Sequence, residues 1–183
     1  MIRMVCREDS AQLLCLEREV TAAGQGVVRC LDEIPTDVEE FAEQLESWLS
    51  GEDKPPMGLR LIAELADGRL AAEGCLSRLG PSMVRHTAVA AVQVHPDHQG
   101  RGLGRAVLEA LVDWARRDAD PPDRILRIEL YVRDDNHRAI ELYESLGFQT
   151  EGVRRALVRD EHGVFHDDRV MALLLGPAKE SSV

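Results

Sequence analysis

The sequence predicts an α/β fold of the α+β kind: a central mixed, mostly antiparallel sheet with one parallel βαβ unit and helices on both faces. Three observations predict it. The apolar run His86 to Val94, an amphipathic helix from Gly104 to Arg117 and the apolar run Ile125 to Val132 follow one another at the spacing of a crossover, which makes the two strands parallel. Leu59 to Ala66 and Arg69 to Leu79 flank Asp67-Gly68, a dipeptide suited to the positive φ angles of a tight hairpin turn. Gln149 to Arg159 and Val164 to Leu175 flank Asp160-Glu161-His162-Gly163 and read as a closing hairpin.

Taken in order, Ile2 to Val5 is a short strand, and Asp9 or Ser10 caps a helix whose Leu13, Leu14, Leu16 and Val20 recur at near-helical spacing. Thr36-Asp37-Val38-Glu39 forms a capping box, and Val38, Phe41, Leu45, Trp48 and Leu49 make the apolar stripe of the next helix, which Gly51 ends. His86 to Val94 is apolar on both alternating faces except at Gln93 and its ends, as expected of a central strand covered on both sides. In the helix that follows, Val107, Leu108, Leu111, Val112 and Ala115 share one side, and Pro121-Pro122 stops any continuation. Asn136 caps a helix carrying Ala139, Ile140, Leu142, Tyr143 and Leu146, with Gly147 at its C-terminus. Residues 1–176 read as one domain and 177–183 as a loose tail.

The chain of 183 residues is 44% hydrophobic and 30% charged, a balance that supports one core and excludes disorder, collagen and coiled coil. A net charge of -11 repels phosphate backbones and anionic membranes, so no nucleic acid or membrane partner is expected and cationic or neutral substrates are favoured. From Asp32 to Asp53 every charged side chain is acidic, either a solvated helix face or a surface that meets a cationic substrate. The charged N-terminus lacks a signal-peptide core, and no membrane-length apolar stretch occurs, which predicts a cytoplasmic protein. Cys6, Cys15, Cys30 and Cys75 show no metal-ligand spacing and read as reduced, mostly buried thiols.

The chemistry lies in Gln99-Gly100-Arg101-Gly102-Leu103-Gly104, three glycines in five residues at a strand-to-helix turn. Glycine there lets the backbone turn its amides outward, beside the unpaired N–H groups and positive dipole end of the helix, and so builds a phosphate cradle. Arg105 stands where a dinucleotide-binding loop would need its last glycine, and no Gly-Lys pair completes a Walker loop. A merely tight turn is the lesser alternative, because the flanking strand and helix are the context such a cradle requires.

Gln99, Gly102 and Gly104 fill the acetyl-CoA signature of the GCN5-related N-acetyltransferases, and the chain resembles that family from about His86 to Leu175. Val92-Gln93-Val94-His95-Pro96 precedes the loop, and Asn136 to Phe148 is similar to the family's Asn-x-x-Ala-Ile-x-Leu-Tyr-x-x-x-Gly-Phe block. The part from Gly147-Phe148 to Met171 is loosely similar to the polyamine and amino acid acetyltransferase branches.

The resemblance implies an acetyl-CoA-dependent N-acetyltransferase acting by direct attack of a primary amine: a small amine, an amino acid, a polyamine-like cation or a protein N-terminus. It implies a sheet whose two parallel strands begin paired and then splay, with the pantetheine arm in the gap against main-chain groups of Val92 and Val94. The amides of Gly100, Arg101, Gly102, Leu103, Gly104 and Arg105 would take the pyrophosphate, and Asn136 would face pantetheine or adenosine while serving as a helix cap. Tyr143 would protonate the leaving thiolate, unless it is only a core aromatic beside Ile140 and Leu146. Many members carry a Glu early in the first parallel strand, where this chain has Ala88, so a water chain, a backbone carbonyl or another acid must serve as base. Glu129, flanked by core residues, is either that acid or half of a salt bridge with an Arg.

No metal is expected. His86, His95 and His98 lie around the first parallel strand, and His162 and His166 on the closing hairpin read as surface groups rather than ligands. A homodimer is compatible with the sequence. The alternative to an enzyme is a non-catalytic acyl-CoA-binding or sensing module, because a fold does not fix a function.

Overall fold

Seven strands and four α-helices form among the residues that the computed structural model describes, 1–24, 26–50, 58–117 and 124–176. They are β1 (Ile2–Met4), α1 (Ser10–Ala22), α2 (Val38–Ser50), β2 (Gly58–Glu64), β3 (Leu70–Arg78), β4 (Thr87–Val94), α3 (Leu103–Arg117), β5 (Arg127–Arg133), α4 (His137–Ser145), β6 (Gln149–Arg159) and β7 (Phe165–Leu174). The strands form one sheet in the order β1-β2-β3-β4-β5-β7-β6. Its β4–β5 pair is parallel, with Thr87 opposite Arg127 and Val89 opposite Glu129, as the crossover spacing requires. Gly51, Pro121-Pro122 and the tail from 177 lie outside the described residues, as do Glu52 and Asp53 of the acidic run.

The chain forms two compact units, Met1–Ser77 with Ala90–Leu111, and Arg78–Val89 with Val112–Val183. Their boundaries fall inside β3, β4 and α3.

In the first unit, Leu13, Leu14, Leu16 and Val20 of α1 are buried with Phe41 and Leu45 of α2, Ile62 of β2 and Leu70 of β3. The stripe read for α2 is trimmed at its start, because Val38 is exposed. The cap of α2 also sits one residue later than the expected box: the Asp37 carboxylate accepts the Glu40 amide at 2.9 Å, so Asp37, and not Thr36, satisfies the first turn. Under α1, Arg60 of β2 pairs with Glu17 and Glu73, and Gln93 of β4 donates to Glu73. That cluster is satisfied on each member, as buried charge requires. Gly74 of β3 admits α3, since a Cβ there would lie 2.6 Å from Val107 Cγ1 and 3.0 Å from Leu111 Cδ1.

The β2–β3 turn is not the two-residue type expected of Asp67-Gly68. The Leu65 amide donates to the Arg69 carbonyl at 2.9 Å and the Gly68 amide to Leu65 at 3.1 Å, which leaves three residues in the loop and only Gly68 at positive φ, +84°. This is a type I turn closed by a left-handed glycine.

Asp9 stands at the cap of α1, but its carboxylate does not cap it. It accepts Arg3 Nη1 at 2.8 Å, Arg3 Nη2 at 2.7 Å and the Cys6 amide at 2.9 Å instead. The Arg3 guanidinium holds its pKa at about 2, against 3.8. A carboxylate depressed on folding stabilises above its unfolded pKa and loses that contribution as pH falls through its folded one. Asp9→Asn is therefore expected to cost about 2 kcal/mol at pH 7, a difference that shrinks between pH 4 and pH 2; urea melts of both proteins across that range check it.

In the second unit, Ile128, Leu130 and Val132 of β5 and Met171 and Leu173 of β7 are buried. By register, Arg127, Glu129, Tyr131 and Arg133 share the opposite face of β5. The β6–β7 hairpin forms as expected, but β6 is bulged twice, and Ala156 adopts φ +53° while its amide donates to Asp167 Oδ1 at 2.8 Å. Among the described residues no helix is long and apolar enough to cross a membrane.

The cysteines depart from the expected burial. Cys6, Cys15 and Cys30 are exposed and Cys75 is half-buried, all as free thiols. Cys15 lies on the outer side of α1, between the buried Leu14 and Leu16. Its thiol is pushed up by local burial and by the neighbouring Glu19 carboxylate.

Candidate active site

The glycine loop belongs to the first unit. A short 3-10 turn, Pro96–His98, leads into it, and the His95 ring caps that turn by accepting the Asp97 amide at 3.1 Å. Gly100 and Gly102 both take φ +79°, a left-handed conformation costly to any side-chain-bearing residue. The first helical bond of α3 runs from the Ala106 amide to the Gly102 carbonyl at 3.0 Å. The amides of Leu103, Gly104 and Arg105 therefore have no partner within the helix. The first turn of α3 contains no acid, so the positive end of its dipole is left for a ligand.

A Cβ built on Gly102 would meet nothing within 4 Å. The glycine is thus demanded by its φ and not by close packing, and open space lies over the backbone. Arg101 is exposed with no partner among the described residues, whereas Arg105 lies 3.5 Å from Glu109 on its own helix. Gln99 turns back along the chain, its amide nitrogen 3.4 Å from the Val94 carbonyl.

The expectation that β4 is covered on both sides fails in its second half. Ala91 is exposed, and Val92 and Val94 are half-buried. The strand ends as an apolar edge open on one side, beside its own glycine loop.

Asn136 and Tyr143 belong to the second unit. Asn136 Oδ1 accepts the Ala139 amide at 3.2 Å, the cap expected from its position. The loop before it is tied to β7 by the Asp134 amide, which donates to Asp167 at 2.9 Å, and by Arg169, which donates to Asp134 at 2.8 Å.

Helix α4 ends in a Schellman motif. The Phe148 amide donates to the Tyr143 carbonyl at 3.0 Å and the Gly147 amide to Glu144 at 3.0 Å, with Gly147 at φ +92°. The apolar contact that accompanies such a motif is made by the Tyr143 and Phe148 rings, whose centroids are 6.0 Å apart. Tyr-x-x-x-Gly-Phe is thus a helix stop that fixes the Tyr143 ring by its neighbours. The hydroxyl takes no partner among the described residues, and burial of the ring pushes the phenol above its ordinary pKa. The ring of Tyr143 is thus fixed while its hydroxyl is left unengaged by the described residues. Gly147→Ala is expected to lose about 1–2 kcal/mol, the cost of a left-handed alanine, and a thermal melt of the variant checks it.

Glu129 is engaged as half of a salt bridge. Arg127 Nε donates to it at 2.8 Å and the Tyr131 hydroxyl at 3.2 Å. Around Tyr131 lies a group that sequence reasoning missed: the Arg154 guanidinium stands 4.2 Å from the Tyr131 ring centroid and pairs with the buried Asp168. No local pattern announces it, because only the β5–β7–β6 register brings residues 131, 154 and 168 side by side. His166 is held by Asp160 at 2.9 Å and Asp135 at 3.3 Å, and His162 is exposed; among the described residues no His, Cys, Asp or Glu group could hold a metal ion.

The family model described as Acetyltransferase (GNAT) family matches residues 27–148, a stretch that includes the glycine loop, Asn136 and Tyr143. N-alpha-acetyltransferase RimI of Mycobacterium tuberculosis is 39% identical over 98 residues, 54% of this chain and 57% of that protein, so the chain spans little more than half of that relative. A GNAT-family acetyltransferase of Streptococcus pneumoniae superposes with a TM-score of 0.83 at 25% identity, over 95% of this chain and 98% of that one. An acetyltransferase of Salmonella typhimurium, solved with its cofactor acetyl-CoA, shares the fold with a TM-score of 0.79 at 24% identity, over 98% of this chain and 95% of that one.

Proposed function

Because this chain belongs to the acetyltransferase (GNAT) family, we propose that it transfers the acetyl group of acetyl-CoA to a primary amine by direct attack. Residues 1–176 act as one catalytic domain, a reading supported by unit boundaries that would cut β3, β4 and α3. The amides from Gly100 to Arg105, with the Arg101 side chain, hold the pyrophosphate, and main-chain groups of Val92 and Val94 hold the pantetheine arm. Gln99 shapes the entry to the loop, and Asn136 both caps α4 and faces the cofactor.

Acetyl-CoA supplies the reactive thioester. As the amine nitrogen bonds the acetyl carbon and the carbon–sulfur bond breaks, Tyr143 gives its hydroxyl proton to the departing sulfur. The observation that carries this reading is the Tyr143 hydroxyl, unpartnered among the described residues and kept protonated by burial. Glu129 is occupied by Arg127 and Tyr131, and the Ala88 side chain has no group to take up a proton, so the amine loses its proton to water.

The acceptor is a cationic amine or a protein N-terminus. The relative in M. tuberculosis is named an N-alpha-acetyltransferase, which supports an α-amine. The exposed acids of α2 and the segment before it support a cation: Arg7 pairs with Glu39 and Glu46, and the neighbouring Asp32, Glu33, Glu40 and Glu43 remain exposed. Mass spectrometry of products from a panel of peptides, polyamines and amino acids tests both points. Cationic acceptors are expected to outperform dicarboxylic ones, with the preference blunted by salt. A preference for a dicarboxylic amino acid overturns the charge argument, and tight acetyl-CoA binding without transfer to any amine makes the protein an acyl-CoA sensor.

A further inference from the structure

In the first unit, the open half of β4 borders the buried charge cluster under α1. Neighbouring residues of β3 point to opposite faces of the sheet. A Cβ on Gly74 would meet Val107 and Leu111 of α3, so Glu73 lies on the other face, paired with Arg60 beneath Glu17 of α1. Gln93 reaches Glu73 from β4, and the next residue of β4 on that face is Ala91, which is exposed. This face is therefore filled by buried charge at Glu73 and open at Ala91, with the half-buried Gln93 on the border.

The charges of the cluster are all paired, but one neutral atom is not. Arg60 Nε and Nη2 both reach Glu73 Oε2, at 2.7 and 2.6 Å, and Gln93 Nε2 donates to Glu73 Oε1. Burial pushes the Glu73 carboxyl up and the Arg60 guanidinium pulls it down; the ionised form is the one that accepts on both oxygens. That carboxylate decides which way the Gln93 amide stands, since the amide turned over would set oxygen against oxygen. Gln93 Oε1 is thus aimed away from the cluster, with no partner among the described residues. His98 Nδ1 is the one side-chain nitrogen or oxygen among them that is both buried and unpartnered, so Gln93 Oε1 is open to solvent.

In the proposed reaction the pyrophosphate lies on the glycine loop and the pantetheine arm passes Val94 and then Val92, which brings the thioester end last, near Ala91 and Val92. The loop opens α3, and α3 packs on the Gly74 face. An amine that attacks the acetyl carbon comes from the side that the cofactor leaves free, the face of Ala91 and Gln93.

Resting on that reading of the reaction, we propose that Gln93 is a catalytic residue: its Oε1 accepts an N–H of the amine as the nitrogen lone pair attacks, and Glu73 and Arg60 are positioning residues that hold the amide. As the nitrogen bonds the acetyl carbon it gains positive charge, its N–H groups become stronger donors, and the bond to Oε1 tightens in the transition state. The amide oxygen keeps no proton. A primary amine has a second N–H, whose proton passes to water, while the first stays on the amide nitrogen of the product.

The test compares the whole wild-type protein with Gln93→Met, Glu73→Gln and the double variant, using the fastest acceptor from the panel of peptides, polyamines and amino acids. Gln93→Met keeps the length of the side chain and removes the acceptor atom. It is expected to lower kcat/KM for the amine about tenfold or more, most of it in kcat, with affinity for acetyl-CoA unchanged. Glu73→Gln leaves Arg60 balanced by Glu17 and lets the Gln93 amide turn over, so it should lose a smaller part of the same effect. The double variant should be no slower than Gln93→Met, because Glu73 acts on the reaction only through Gln93; a merely structural role would give losses that add. A Gln93→Met protein as fast as the wild type overturns the inference and leaves the transferase reading standing, and additive losses overturn the role of Glu73. A wild type that binds acetyl-CoA and acetylates no amine overturns both readings.

Discussion

Tyr143→Phe is expected to lower kcat by about 10² to 10⁴-fold, the usual worth of a positioned general acid, while the affinity for acetyl-CoA stays nearly unchanged. The two effects separate because the side chain does two things with different atoms. Its ring makes the contact with Phe148 that completes the Schellman motif, while the backbone carbonyl of the same residue accepts the Phe148 amide. Phenylalanine keeps both, so the melting temperature of the variant should stay close to that of the parent. Only the hydroxyl proton is removed, and an interaction used in the transition state appears in kcat and not in binding. Tyr143→Ala, which also removes the ring contact, should lose stability as well. The pH profile gives a second reading: burial raises the phenol above its ordinary value, so the alkaline fall in kcat caused by losing this proton lies above about pH 10 and is absent from Tyr143→Phe. An unchanged kcat, with chemistry limiting the rate, would leave Tyr143 as a packing residue alone.

Gly102→Val is expected to abolish most of the thermal stabilisation that acetyl-CoA confers, with affinity down about tenfold or more. Nothing in the protein opposes a side chain there, since a Cβ would meet no atom within 4 Å. The variant should therefore fold, with a backbone cost of about 1–2 kcal/mol for a left-handed valine. What it loses is the approach of the ligand to the amides at the start of α3. Gly68→Val supplies the control, because Gly68 sits at φ +84°, also with no atom within 4 Å, in the β2–β3 turn. It should lower the melting temperature of the free protein by a similar amount and leave the acetyl-CoA-induced rise intact. Equal rises in all three proteins would remove the glycine loop from the binding site.

The parts that local spacing controls are legible in the sequence alone. The buried stripes of α1 and α3, the parallel pair across the 86–132 crossover and the closing hairpin follow from periods of 3.6 and 2 and from right-handed connection, none of which needs distant contacts. Asn136 and Gly147 can be placed because helix caps are read within four residues. Two expectations, both about helix caps, fail through competition between partners. Asp9 has the right type and position for a cap, yet its carboxylate turns to Arg3 of β1, because a doubly bonded guanidinium binds it more strongly than a backbone amide does. At α2 the choice is between neighbours, and the carboxylate of Asp37 takes the amide in place of the Thr36 hydroxyl.

What the sequence by itself determined, then, is the order of the elements, the glycine loop at a strand-to-helix turn and the presence of Tyr143 on its helix. Whether Gly102 stands under open space or under packed atoms was decided only by the tertiary structure, since that depends on what surrounds the loop. The same is true of Glu129, whose carboxylate goes to Arg127 and Tyr131, and of the Tyr131, Arg154 and Asp168 cluster that strand register assembles. His98 is the clearest case: its neighbours in sequence say nothing of Nδ1, and only the tertiary structure leaves that atom buried and unpaired. The physical reason is common to all of them, because local spacing sets which way a side chain points, while long-range packing sets what it finds there.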